Sequence, residues 1–142
     1  MLKMGLRRFL LFILVLGLLG TGAELAVTAH TENVLQWIPL LLIGTALGAI
    51  AWYETAPGKA SRRVLRTVLL LFLAGGVTGI ALHWRGKMEF QLESDPSLSG
   101  WSLFRKAMET KSPPALAPGV MIQLGLLGLA YQLAGRANRK DA

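Results

Sequence analysis

Apolar positions along this chain gather into four long runs, at residues 9–29, 34–53, 64–84 and 113–134. None carries the polar face, recurring every 3.6 positions, that marks a helix on the surface of a soluble domain. Each holds about twenty residues, enough at ~1.5 Å per residue to cross ~30 Å of hydrocarbon. The pattern predicts an all-α fold, a polytopic membrane protein built as a four-transmembrane-helix bundle in one domain over residues 1–142. A polar stretch, residues 85–112, interrupts it as a long outer loop carrying a short interfacial helix.

The polar and small residues within and between the runs refine this. Lys3, Arg7 and Arg8 precede the first run, and Thr21-Gly22-Ala23 within it would also suit a cleaved secretory signal. Apolar sequence continues through Leu25-Ala26-Val27, so a retained helix is expected. Asn33 is placed to cap the second helix and Pro39 to bend it. Trp37 and Trp52-Tyr53 fall where interfacial aromatic belts lie. Gly44 and Gly48, four apart, form a small-residue face that another helix can approach closely. Pro57-Gly58 marks a tight hairpin into the third run, where Gly75, Gly79 and His83 share one stripe.

In the outer loop Met88, Phe90 and Leu92 alternate with Lys87, Glu89, Gln91 and Glu93. That period of two predicts an extended strap across the helix ends. Ser99 can cap a short helix in which Trp101, Phe104 and Met108 recur at i, i+3 and i+7, apolar face toward the bilayer. Ser112 and Pro113-Pro114 open the fourth run, with Pro118-Gly119 as an expected kink.

Charge assigns sidedness. The chain is 53% apolar with net charge +7, and its basic residues flank the apolar runs. With the N-terminus inside, the inner segments hold Lys3, Arg7, Arg8, Lys59, Arg62, Arg63, Arg66, Arg136, Arg139 and Lys140. The outer segments hold only Arg85, Lys87, Arg105, Lys106 and Lys111, while most carboxylates fall outside. This positive-inside bias predicts a cell (inner) membrane protein with both termini cytoplasmic. No basic patch interleaved with aromatics occurs, so nucleic acid is not an expected partner. The absence of cysteine excludes disulfides, thiolate metal sites, iron–sulfur clusters and cysteine nucleophiles.

Candidate chemistry is sparse. His30 and His83 end the first and third runs on the outer side, and with Glu24 they could hold a metal or ligate haem. Their spacing matches no tight ligand motif, so ordinary interfacial histidines are the simpler reading, and no cofactor is identified. Glu24 lies inside the outer third of the first run, where an ionised carboxylate costs a few kcal/mol. It shares a stripe with Gly20 and Thr28, so it is expected to face the bundle and meet Arg85, His83 or Gln123. Such a polar cluster could relay protons or cations. Gln123, within the fourth run, is expected to hydrogen-bond another helix.

No phosphate-cradling loop, nucleophile elbow or paired intramembrane aspartates occur, so an enzyme is not expected. The leading expectation is a non-enzymatic accessory or structural subunit, packed as a homo-oligomer or within a larger complex in the lipid bilayer. Gly44, Gly48, Gly75, Gly79, Phe90, Trp101 and Phe104 are its candidate contact residues. A small transporter or relay centred on Glu24, and a metal or haem binder using His30 and His83, are the alternatives.

Overall fold

The computed structural model describes residues 2–27, 34–109 and 116–140. The chain there is all helical, in the order α1 (Leu2–Val27), α2 (Val34–Thr55), α3 (Lys59–Ser94), α4 (Gly100–Met108) and α5 (Leu116–Lys140). Four of these, α1, α2, α3 and α5, are long and apolar enough to cross a membrane. Asn33 and the 110–115 segment, with Ser112 and Pro113-Pro114, lie outside the described residues.

The long helices run alternately up and down and close into a ring. The order round it is α1, α2, α3, α5, with α5 returning to α1, and α4 rests on α3. Leu14 and Leu18 of α1, Ile43, Ala46 and Ile50 of α2, Leu65, Leu69 and Phe72 of α3, and Met121 and Leu124 of α5 meet inside. Their three- and four-residue spacings put each set on one helix face. The opposite faces are apolar too: Phe12, Leu16, Leu41, Val77 and Leu126 are all exposed. An inward and an outward apolar face together explain why the sequence shows no polar stripe.

Glycine sets the tightest seam, between α3 and α5. A Cβ on Gly76 would stand 2.8 Å from the Pro118 carbonyl oxygen and 3.1 Å from the Ile122 nitrogen. The two backbones therefore touch, with no room for any side chain. Gly79 abuts Pro118 and Gly125 abuts Leu69 and Leu73 along the same seam, while Gly75 faces Leu42 of α2. Gly75 and Gly79 thus close seams within one chain.

The expected extended strap is a helix instead. α3 runs on to Ser94 without a break, carrying Met88, Phe90 and Leu92 in its last turns. Two things override the period of two. Lys, Met, Glu, Gln and Leu are good helix formers and no β-branched residue interrupts them. Arg85 and Glu89 also pair at i, i+4, 2.7 Å apart. The helix stops where Pro96 forces Asp95 into extended backbone, φ −148° and ψ 93°. One side of Asp95 secures the turn that follows. Its Oδ1 accepts from the Ser97 amide at 3.1 Å and the Ser97 hydroxyl at 2.6 Å, which holds its carboxyl below the usual carboxylate range, with Lys106 adding to the effect.

Ser99 is the N-cap residue of α4, as its position in the sequence suggests, and Gly100 behind it has φ +52°, a conformation suited to glycine. α4 folds back on α3 through the fully buried Ala107. Phe104 meets Trp84 at 5.0 Å between ring centroids, and Trp101 stacks on Phe104 at 4.9 Å. Trp101, Phe104 and Met108 nevertheless stay exposed. So does Phe90, at the far end of α3.

Candidate functional site

Polar side chains converge at the end of the ring formed by the start of α1, the α2–α3 turn and the end of α5. Glu54 is the hub. The Arg7 guanidinium and the Tyr131 hydroxyl both donate to its Oε1, and Arg7 also donates to the Tyr131 hydroxyl oxygen at 3.0 Å. Three helices, α1, α2 and α5, are therefore joined at one carboxylate. Tyr53 and Tyr131 pack edge to face at 6.0 Å, reaching diagonally across the ring. The Arg7 cation sits 5.1 Å from the Tyr131 ring centre and 5.9 Å from that of Tyr53, within range of a cation–π attraction. Gly135 leaves the necessary space: a Cβ there would come within 3.1 Å of Arg7 Nε and 3.3 Å of the Tyr53 hydroxyl.

The fourth helix is tied in by Gln132, which is 1% exposed. Its Nε2 donates to the Arg62 carbonyl at 2.8 Å, and its Oε1 accepts from Arg66 Nε at 3.4 Å. Buried Ser61 then locks the α2–α3 turn, donating to the Ala56 carbonyl at 2.9 Å and accepting from the Gly58 amide at 3.0 Å. Beside this, Lys59, Arg62, Arg63 and Arg66 line an open cleft of about 240 Å³. None of the four is ion-paired among the described residues, where Glu54 is the only carboxylate at this end. Spaced three and four apart, they repel along one face. Each such like-charge pair destabilises the helix by ~0.2–0.5 kcal/mol, and cations in a first turn also oppose the helix dipole.

The residues singled out in the sequence are scattered by comparison. Glu24 lies exposed on α1 and its stripe-mate Gly20 is exposed with it, so that stripe does not turn into the bundle. Arg85, considered as its partner, pairs with Glu89. His83 is exposed on α3, and His30 lies outside the described residues. Among the described residues no three histidine or carboxylate side chains gather as a metal would require.

Gln123 is exposed and makes no hydrogen bond among the described residues. The interhelical bonds expected of it belong to Gln132. Nine residues at ~100° each separate the two by about half a turn, so when one faces in the other faces out. Gly44 and Gly48 are likewise exposed, with nothing within 4 Å of the space a Cβ would take.

The sequence placed Arg7 among the cations that set sidedness and Tyr53 among the interfacial aromatics, and gave Glu54, Tyr131 and Gln132 no role. One signal was available: Tyr53-Glu54 and Tyr131-Gln132 close two antiparallel runs with an aromatic followed by a polar side chain, bringing two such pairs to one end. No protein family, curated protein or solved structure matches this chain, so the chemistry at this end rests on its own geometry.

Proposed function

We propose that this is an integral membrane protein with four spanning helices and both termini in the cytoplasm. In this reading it acts without catalysis, as an accessory or structural subunit that packs against copies of itself or larger membrane partners. The observation that carries the reading is Gln123. It sits inside the apolar Pro118–Gly135 span, turned outward, with no hydrogen-bond partner among the described residues. A side-chain amide facing hydrocarbon gains when a neighbouring helix hydrogen-bonds it, by ~0.6–2 kcal/mol. Gly44 and Gly48 add a bare outward face on α2 that a helix can approach closely.

Other features support the membrane setting. An exterior studded with exposed Phe, Leu and Val suits lipid tails and would be an aggregation-prone surface in water. Trp37 and Trp52 are exposed near opposite ends of α2, as interfacial anchors are. The polar network around Glu54 reads as a clasp that holds the four helices in register at the cytoplasmic end.

The test is the size of the particle in mild detergent. The wild-type chain is expected to run as a complex larger than one copy, and Gln123→Leu with Gly44→Leu and Gly48→Leu should release the monomer. A wild type that is strictly monomeric, with no protein co-purifying, contradicts the proposal.

A further inference from the structure

We propose that the cleft lined by Lys59, Arg62, Arg63 and Arg66 binds the phosphate of an anionic phospholipid headgroup. The inference rests on reading the four long helices as membrane spans. Four cations share two turns of α3 and none is neutralised among the described residues. The one described carboxylate at this end, Glu54, is already engaged by Arg7 and Tyr131. Repulsion should splay such side chains into solvent, yet two are fixed at the wall of the cleft. Arg66 is held through Nε by the buried Gln132, and the Nε of Arg62 is buried with no hydrogen-bond partner among the described residues. Gln132 also grips the Arg62 carbonyl, so the cleft's shape is set from beneath.

The chemistry that satisfies this arrangement is a compact anion with several acceptor oxygens. Guanidinium groups match phosphate geometry, and lysine adds a point charge. Gly58, the N-cap residue of α3, has no side chain with which to cap the first-turn amides, so the helix end adds its own preference for negative charge. The cleft opens where basic residues meet the membrane surface, the level at which anionic headgroups lie. A lipid phosphate is therefore the favoured occupant over a free one.

The full-length chain in neutral detergent is offered equal phosphatidylglycerol and phosphatidylcholine, and retained lipids are counted by native mass spectrometry. Phosphatidylglycerol should be retained in preference by at least about tenfold, given ~1 kcal/mol for each basic residue near such a headgroup. Lys59→Gln with Arg63→Gln, both exposed, should bring the two lipids near parity. Arg105→Gln with Lys106→Gln, which removes the same charge at the other end, should change nothing. Equal retention of the two lipids by the wild type, or equal loss in both double variants, overturns the proposal.

Inorganic phosphate is the second arm. It should compete weakly, and displacement of the lipid at equal concentration would assign the cleft to a soluble phosphate and overturn the lipid assignment. Flotation with phosphatidylcholine vesicles separates this inference from the reading it rests on. A chain that does not float contradicts the membrane spans. One that floats without preferring phosphatidylglycerol contradicts the cleft alone.

Discussion

Two tyrosines at the same end of the bundle make opposite demands on their hydroxyl groups. That of Tyr131 donates to the Glu54 carboxylate and accepts from Arg7. That of Tyr53 is buried with no hydrogen-bond partner among the described residues. Hydrogen bonds to charged groups contribute ~1.5–3 kcal/mol, whereas removing an unsatisfied buried hydroxyl relieves its desolvation. Tyr131→Phe should therefore destabilise the detergent-solubilised chain by about 1–3 kcal/mol, while Tyr53→Phe should be neutral or mildly stabilising. Denaturant unfolding of the two variants side by side checks this, and equal losses would deny the difference. Arg7→Ala and Glu54→Ala should be strongly non-additive in a double-mutant cycle, because each leaves the other half-buried and unpaired. Little of this was legible in the sequence. A single glutamate among many cations reads as topology until the fold shows which arginine reaches it. The outward turn of Gln123 depends on helix phase, which one apolar-all-round run does not reveal.

At the scale of elements, glycine separates internal seams from bare faces. Gly76→Ala would drive a Cβ against the Pro118 backbone, which cannot rotate away as a side chain can. A loss of about 1–3 kcal/mol is expected, as for other overpacked sites. Gly44→Ala meets nothing within 4 Å and should leave one chain as stable or raise its stability by ~0.5–1 kcal/mol through helix propensity. Thermal unfolding of the two single variants distinguishes them. The sequence had marked Gly75 and Gly79 as one packing stripe, and both do pack, but on two different neighbours. It missed Gly76, which lies where the α3 and α5 backbones touch, because a stripe drawn at i, i+4 passes it by. The helical continuation to Ser94 was also missed: seven alternating residues are too few to outweigh helix propensity and one ion pair.

The α3–α4 turn carries a pH dependence with a definite sign. Ser97 holds the Asp95 carboxyl below its ordinary range, so its stabilisation is complete above the usual aspartate value of 3.8 and fades as acidification passes through the lowered one. Ser97→Ala removes the larger cause and should move the Asp95 titration upward, toward the ordinary value. Trp101 fluorescence followed against pH would report it, and an unmoved midpoint would deny Ser97 that role.

For the whole molecule, length and hydropathy alone were enough to anticipate four long apolar helices packed as a bundle, because uninterrupted apolar runs of about twenty residues leave few choices of element. They could not say which faces turn inward, since both faces are apolar. The resulting body has a polar clasp and a cationic cleft at one end, and the aromatic α4 at the other. Everything proposed for it depends on those two ends lying on opposite sides of a membrane. The chain has no cysteine, so single cysteines can be introduced at Ala60 and Trp101 and labelled in intact cells by a membrane-impermeant thiol reagent. The account predicts labelling at 101 from outside and at 60 only after permeabilisation. Labelling of both positions from the same side would contradict it.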